Sequence, residues 1–202
     1  LDHARSQGVK VYEGVEVRSL VFDGERPIQA NWQQKDLDGR PDEQGEISFK
    51  YLIDASGRNG IMSNRYLRNR HFHNVFQNIA VWGYWKDAVG SIRDGWLWGI
   101  PLHDGTISVG VVMHKDALEA KRNGGIEKLY REAIENSPLI SKVLRSATLA
   151  SPLKTETDYS YTAEQFSGPG YFLVGDAACF LDPLLSSGVH LATFSAMLAA
   201  AS

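Results

Sequence analysis

Between Val9 and Ile53 apolar and polar residues alternate in short runs: Val9-Lys10-Val11-Tyr12, Val15-Glu16-Val17, Leu20-Val21-Phe22, Ile28-Gln29-Ala30-Asn31-Trp32 and Ile47-Ser48-Phe49-Lys50-Tyr51-Leu52-Ile53. A period of two puts every second side chain on one face, so these runs predict strands, arranged as a small antiparallel meander. Ahead of them, Leu1 and Ala4 followed by Gly8 predict the last turns and the cap of a helix. The stretch from Asp36 to Glu43 has the composition of a hairpin loop. Alternation returns from Thr106 to Val112, and then the period changes. Ile126, Leu129, Tyr130, Ala133 and Ile134 recur at the spacing of one helical face. Ser137-Pro138 predicts the N-cap and first residue of a second helix running through Ile140, Val143 and Leu144. Tyr171 to Val174 is a wholly apolar run that predicts a buried strand, and an apolar helix follows from Gly188.

Two of these strands end in the same way. Ile53 runs into Asp54-Ala55-Ser56-Gly57-Arg58-Asn59-Gly60, and Val174 runs into Gly175-Asp176. Open α/β sheets hold nucleotides at the carboxyl ends of their strands, so two such turns are expected to converge on one ligand; a solvent-facing turn is the plainer reading. Ser186-Ser187-Gly188 precedes Val189-His190-Leu191, and a helix start there would offer unpaired N–H groups and a positive dipole end to an anion. An N-capped core helix explains the serines equally. Aromatic residues crowd Phe76 to Trp98. A sheet with an aromatic face and helices behind it suits a substrate chamber as well as an ordinary core.

Composition narrows the class. The 202 residues are 43% hydrophobic and 22% charged, as expected of a soluble globular protein with one domain or two closely integrated ones. A net charge of −3 and a pI near 6.1, with no Lys/Arg run, give no electrostatic footprint for nucleic acid or for an anionic membrane. The apolar C-terminal run is broken by His190, Thr193 and Ser195 and falls short of the roughly 18 residues of a membrane span. Cys179 is the single cysteine, which excludes an internal disulfide and fits a reducing, cytoplasmic setting. His71-Phe72-His73 lacks companion ligands, so no metal is expected. The chain starts at Leu1 and ends within an apolar run, and is read as an internal fragment truncated at both ends.

Val174-Gly175-Asp176-Ala177-Ala178 resembles the Gly-Asp motif of the flavoprotein monooxygenases, and Ile53-Asp54-Ala55-Ser56-Gly57-Arg58 resembles the second flavin-contacting turn of that superfamily. Within it, Trp96-Leu97-Trp98-Gly99-Ile100-Pro101 and Asp182 to Leu191 are similar to stretches of the flavin-dependent halogenases. The resemblance implies an α/β fold: a Rossmann-like FAD-binding domain with an inserted antiparallel-sheet substrate domain. Residues 1–70 and 171–202 would belong to the first and 71–170 to the second. It implies FAD, used as FADH2, contacted by Asp54, Gly57, Gly175, Asp176, Asp182, Pro183 and Val189. It also implies chloride or bromide at Ser187 and Gly188, and a wall formed by Trp96, Trp98, Ile100 and Pro101 between substrate and flavin. Oxygen would form a flavin C4a-hydroperoxide, from which halide forms hypohalous acid, and a separate flavin reductase would supply FADH2.

At the position of Leu185 the tryptophan-acting members carry a catalytic glutamate. Its absence argues against free tryptophan and for an electron-rich ring such as a phenolic polyketide, free or bound to a carrier protein. The resemblance places the Gly-x-Gly-x-x-Gly phosphate loop and the halogen-relay lysine before this stretch, so no catalytic residue is assigned. This chain by itself is accordingly expected to be inactive. An aromatic hydroxylase on the same fold and an inactive FAD-binding protein are the rival readings.

Overall fold

The computed structural model describes residues 1–34, 43–85, 95–116, 124–184 and 186–202, without the side chains of 74–77 and 157–159. The chain forms two units: residues 1–70, 163–178 and 189–202 make the first, and 71–162 with 179–188 make the second.

In the first unit the expected meander forms from β1 (Val15–Asp23), β2 (Arg26–Gln34) and β3 (Gln44–Ser48), antiparallel in that order. Val15 to Phe22 is one strand rather than two, with its ladder to β2 shifting register between Val17 and Ser19. Val9 to Tyr12 is not a strand. The Val9 amide donates to the Ala4 carbonyl and so completes the short helix α1 (Asp2–Ser6), with Gly8 at φ +84° in the connection. Of the loop expected over 36–43, residues 36–42 lie outside the described residues.

The run from Ile47 to Ile53 does not stay in one sheet. It breaks at Lys50, whose carbonyl accepts from Arg26 Nη2, because its two halves pair differently. β3 completes the meander, whereas β4 (Leu52–Asp54) lies parallel to β10 (Tyr171–Leu173). β9 (Ser167–Gly168) pairs antiparallel with β10, which draws residues 163–170 into the first unit and not into the sheet-and-helix unit expected from sequence. Leu20, Ala30, Met62, Ala163, Tyr171, Leu173 and Ala178 form this unit's core.

The second unit is a five-stranded antiparallel sheet. β5 (Arg70–Trp85, entering this unit at His71), β6 (Gly95–Pro101), β7 (Ile107–His114), β8 (Lys154–Ala163) and β11 (Cys179–Phe180) lie in the order β11-β8-β5-β7-β6. Pairing of β11 with β8 draws 179–188 into this unit, away from the FAD-binding domain assigned to it from sequence. On one face Val81, Trp85, Leu97, Ile107, Val109, Val111 and Met113 pack against α2 (Gly125–Glu135) and α3 (Pro138–Val143). The buried stripe of α2 is Leu129, Tyr130, Ala133 and Ile134, while Ile126, in the first turn, is 46% exposed. Ser137 caps α3 as expected, accepting from the Ile140 amide with Pro138 at the first helical position. Tyr130 is 1% exposed and links helix to sheet: its hydroxyl accepts from Trp85 Nε1 at 2.7 Å and donates to the Val109 carbonyl at 2.9 Å.

Candidate functional site

The two strand-end turns lie side by side because β4 and β10 are parallel neighbours: Leu173 pairs with Asp54, and the Val174 amide donates to the Asp54 carbonyl at 3.0 Å. Asp54 is only 5% exposed. Its Oδ1 accepts from the Ser56 amide (3.0 Å) and hydroxyl (2.5 Å), and its Oδ2 accepts from the Met62 amide (2.8 Å). Both oxygens are therefore engaged by the turn itself, and the carboxylate acts first as its scaffold. Gly57 follows at φ +64° with open space where a Cβ would stand, and a short 3-10 turn (Gly57–Asn59) leads into a π-helical turn (Ile61–Tyr66).

The second turn begins at Gly175, at φ +56°. Its amide donates to Ser195 Oγ at 3.0 Å, and a Cβ there would lie 3.1 Å from that of Ala192, so the turn is seated closely on α4 (Gly188–Ala201). Ser195 in sequence only interrupts an apolar run; its distance from Gly175 leaves no local signal of this role. Asp176, half-buried in the 3-10 turn Gly175–Ala177, has its carboxyl pushed above the usual carboxylate range by burial, with the cations Arg58 and Arg70 pulling the other way. Arg70 joins the two turns, bonding carbonyls of both. Of the other first-unit site residue expected from sequence, Val189 stands at the start of α4 and is 79% exposed.

In the second unit, Trp96 and Trp98 share one face of β6, their ring centroids 5.8 Å apart, while Leu97 between them enters the core. Trp98 also lies 6.4 Å from Trp82 across the sheet and donates from Nε1 to Ser108 Oγ at 3.1 Å. Ile100 and Pro101 continue the strand at an exposed end. The aromatic face thus includes Trp82, which the motif alone does not identify.

The loop before α4 is shaped by its own side chains. Asp182 Oδ1 accepts from the Leu184 amide at 2.7 Å, and the Ser186 amide closes a turn onto the Pro183 carbonyl at 3.1 Å. Ser186 takes φ +52°, and the helix starts at Gly188 with Ser187 just before it. Leu185 lies outside the described residues. Among the described residues there is no group of three or more His, Cys, Asp or Glu placed to hold a metal ion, and no helix is long and apolar enough to cross a membrane.

Comparison with known proteins gives these features a common setting. A family model described as tryptophan halogenase matches residues 1–201. A tryptophan 2-halogenase of Chondromyces crocatus is 50% identical over 216 residues, covering all of this chain and 41% of that protein. The flavin-dependent halogenase rdc2 of Metacordyceps chlamydosporia is 39% identical over 236 residues, covering all of this chain and 44% of its own length. Among solved structures, the myxobacterial chondrochloren halogenase CndH, described as a variant of the FAD-dependent halogenases, superposes with a TM-score of 0.84 at 33% identity. That match covers 98% of this chain and 48% of CndH. The chain spans somewhat less than half the length of these relatives.

Proposed function

The chain belongs to the tryptophan halogenase family, and we propose that it supplies part of the flavin site, the halide site and the aromatic face of a flavin-dependent halogenase. The observation that carries this reading is the pairing of the Asp54–Gly60 and Gly175–Ala177 turns at the ends of adjacent parallel strands, in a chain that also carries the tryptophan face and the Ser187-Gly188 helix start.

The residues fit a flavin. Gly57 and Gly175 both take positive φ, where a Cβ would be strained, and the space over Gly57 is open to a ligand's approach. Asp176 offers carboxylate oxygens to the hydroxyls of a ribityl chain, and the nearby cations Arg58 and Arg70 keep it ionised more readily than burial alone would allow. Asp54 holds the first turn in shape. When bound, reduced flavin supplies the oxygen-activating chemistry that oxidises halide. The N–H groups at Ser187 and Gly188, reinforced by the helix dipole, suit chloride or bromide. Asp182 and Pro183 shape the turn ahead of the helix, and Val189 lies in its first turn. Trp96 and Trp98, with Ile100 and Pro101 following, give an aromatic ring a face to stack on.

Two substrate classes separate here. Leu185 carries no carboxylate to assist attack on a weakly activated ring, which favours a phenolic ring, free or carrier-bound. The 50% identical relative is named a tryptophan 2-halogenase, which favours an indole. The full-length protein should be supplied with a flavin reductase, NADH, FAD and chloride, and with a simple phenol and tryptophan in competition. A chlorinated phenol, lost when chloride is omitted, is the expected product. Chlorinated tryptophan in its place selects the indole reading, and addition of oxygen without chlorine makes the protein a hydroxylase.

A further inference from the structure

Arg70 lies where the two turns meet. Its Nη1 donates to the Arg58 carbonyl at 2.6 Å, and its Nε donates to Ser63 Oγ at 2.9 Å. Nη2 lies 3.3 Å from the carbonyls of Gly57, Asp176 and Ala177, sharing its two hydrogens among them. Ser63, fully buried in the π-helical turn, donates its own hydroxyl hydrogen bond to the Ala177 carbonyl at 2.8 Å. One cation is thus tied to the first turn, to the second turn and to the segment between them. Gly60 makes room for it: a Cβ at that position, already at φ +54°, would run into the guanidinium.

We infer that Arg70 is a positioning residue of the flavin site, a clasp that holds the Gly57–Asn59 and Gly175–Ala177 turns in one register. The inference rests on the flavin reading above. A guanidinium presents five N–H donors in a planar fork, and only such a group reaches four backbone carbonyls and a hydroxyl at once; a lysine ammonium is a single point of charge on a flexible stem. The carbonyls bound by Arg70 belong to two short 3-10 turns. Turning those carbonyls toward one cation fixes the orientation of the same peptide units, and in the second turn the Ala177 and Ala178 amides are held in turn by the Val174 and Gly175 carbonyls. The clasp also leaves its charge next to Asp176. Arg58 and Arg70 are the charged groups that act on that carboxyl, and both favour its ionised form.

The test compares full-length wild type with Arg70→Lys, Arg70→Gln and Ser63→Ala, measuring FAD affinity by flavin fluorescence quenching as a function of pH, alongside melting of each protein without flavin. Arg70→Lys keeps the charge and loses the fork, so the dissociation constant for FAD should rise about tenfold with its acid limb in place. Arg70→Gln should weaken FAD at least as much and also move the acid limb to higher pH, since Asp176 loses a cation that lowers its pKa. A fold defect alone would not move that limb. Ser63→Ala, which keeps the charge and the carbonyl bonds made by Arg70 but loses the serine's own bond to Ala177, should weaken FAD about threefold and remains informative if the Arg70 variants do not fold. Affinities within error of wild type in the folded variants, or an unmoved acid limb in Arg70→Gln, overturn the inference while the flavin reading stands. Wild-type protein that binds no FAD overturns both.

Discussion

The indole of Trp98 lies directly over Gly110, its partner across the β6–β7 ladder, and a methyl group on Gly110 would collide with the ring. Gly110 is also the partner of Trp82, which lies in β5 on the other side of β7. A residue without a side chain in β7 therefore makes the space in which two tryptophans come within 6.4 Å of each other. Gly110→Ala should displace the Trp98 indole and break its bond to Ser108, at a cost of about 1–3 kcal/mol, the usual range for overpacking. Urea unfolding followed by tryptophan fluorescence measures this. An unchanged midpoint and native emission spectrum would mean the aromatic face does not depend on Gly110.

Asp176 is held at a cost to the fold. Burial raises its pKa in the folded chain above the unfolded value, so its contribution favours folding at acid pH and is lost as pH rises through the folded pKa. Asp176→Asn removes the charge that burial penalises. The variant should melt at a higher temperature than wild type at neutral pH in the absence of flavin, with the difference vanishing in acid. On the proposed flavin reading, FAD should bind about tenfold more weakly to the same protein, because a charged acceptor for ribityl hydroxyls is gone. A variant melting at or below the wild-type temperature at neutral pH would show that the carboxylate is not strained.

Tyr130 carries the junction between α2 and the sheet. Tyr130→Phe leaves Trp85 Nε1 without its acceptor and the Val109 carbonyl without its donor, a loss of about 1–3 kcal/mol. Chemical denaturation should show a lower midpoint with an unchanged slope. The phenol is pushed up to about 12 from 10.0, chiefly by burial, so it favours the fold while protonated and this contribution fades as pH climbs between those values. Alkaline unfolding of the second unit should accordingly begin in that window and be less steep in the phenylalanine variant.

Ser186 is one of two non-glycine residues with positive φ among the described residues. Ser186→Gly should stabilise the folded protein by about 1 kcal/mol through relief of that strain, offset in part by the freer unfolded chain. Calorimetry of the two proteins checks the sign. A lower melting temperature would show that the Ser186 side chain holds the loop by more than its backbone angle.

Alternation was enough to read the meander, and helical period enough to read α2 and the Ser137 cap, because each reports burial over neighbouring residues. The same signal does not show that Ile47 to Ile53 divides between two sheets, since a strand looks alike whether its partner is β2 or β10. The aspartates at the two strand ends are legible as turn residues. That Asp54 spends both oxygens on Ser56 and Met62 is not, because the ring of donors appears only when the chain folds back on itself. Arg70 and Ser63 have no motif at all: their partners in the second turn lie 106 to 114 residues away. Trp82 is one aromatic residue in a crowded stretch until the register sets it opposite Gly110.

The two cores differ in how they are drawn from the chain, and this bears on the order in which they form. That of the second unit comes from one continuous stretch, Val81 to Leu144, whereas that of the first gathers residues from Leu20 to Met62 and then from Ala163 to Ala178. Local contacts close sooner than distant ones, since a long loop must lose more entropy before any pairing rewards it. The sheet and helices between Val81 and Leu144 should therefore gain protection from hydrogen exchange first during refolding. The parallel pairing of Leu52–Asp54 with Tyr171–Leu173 should come last, so the turns at Asp54 and Gly175 would be among the final parts of the chain to find each other.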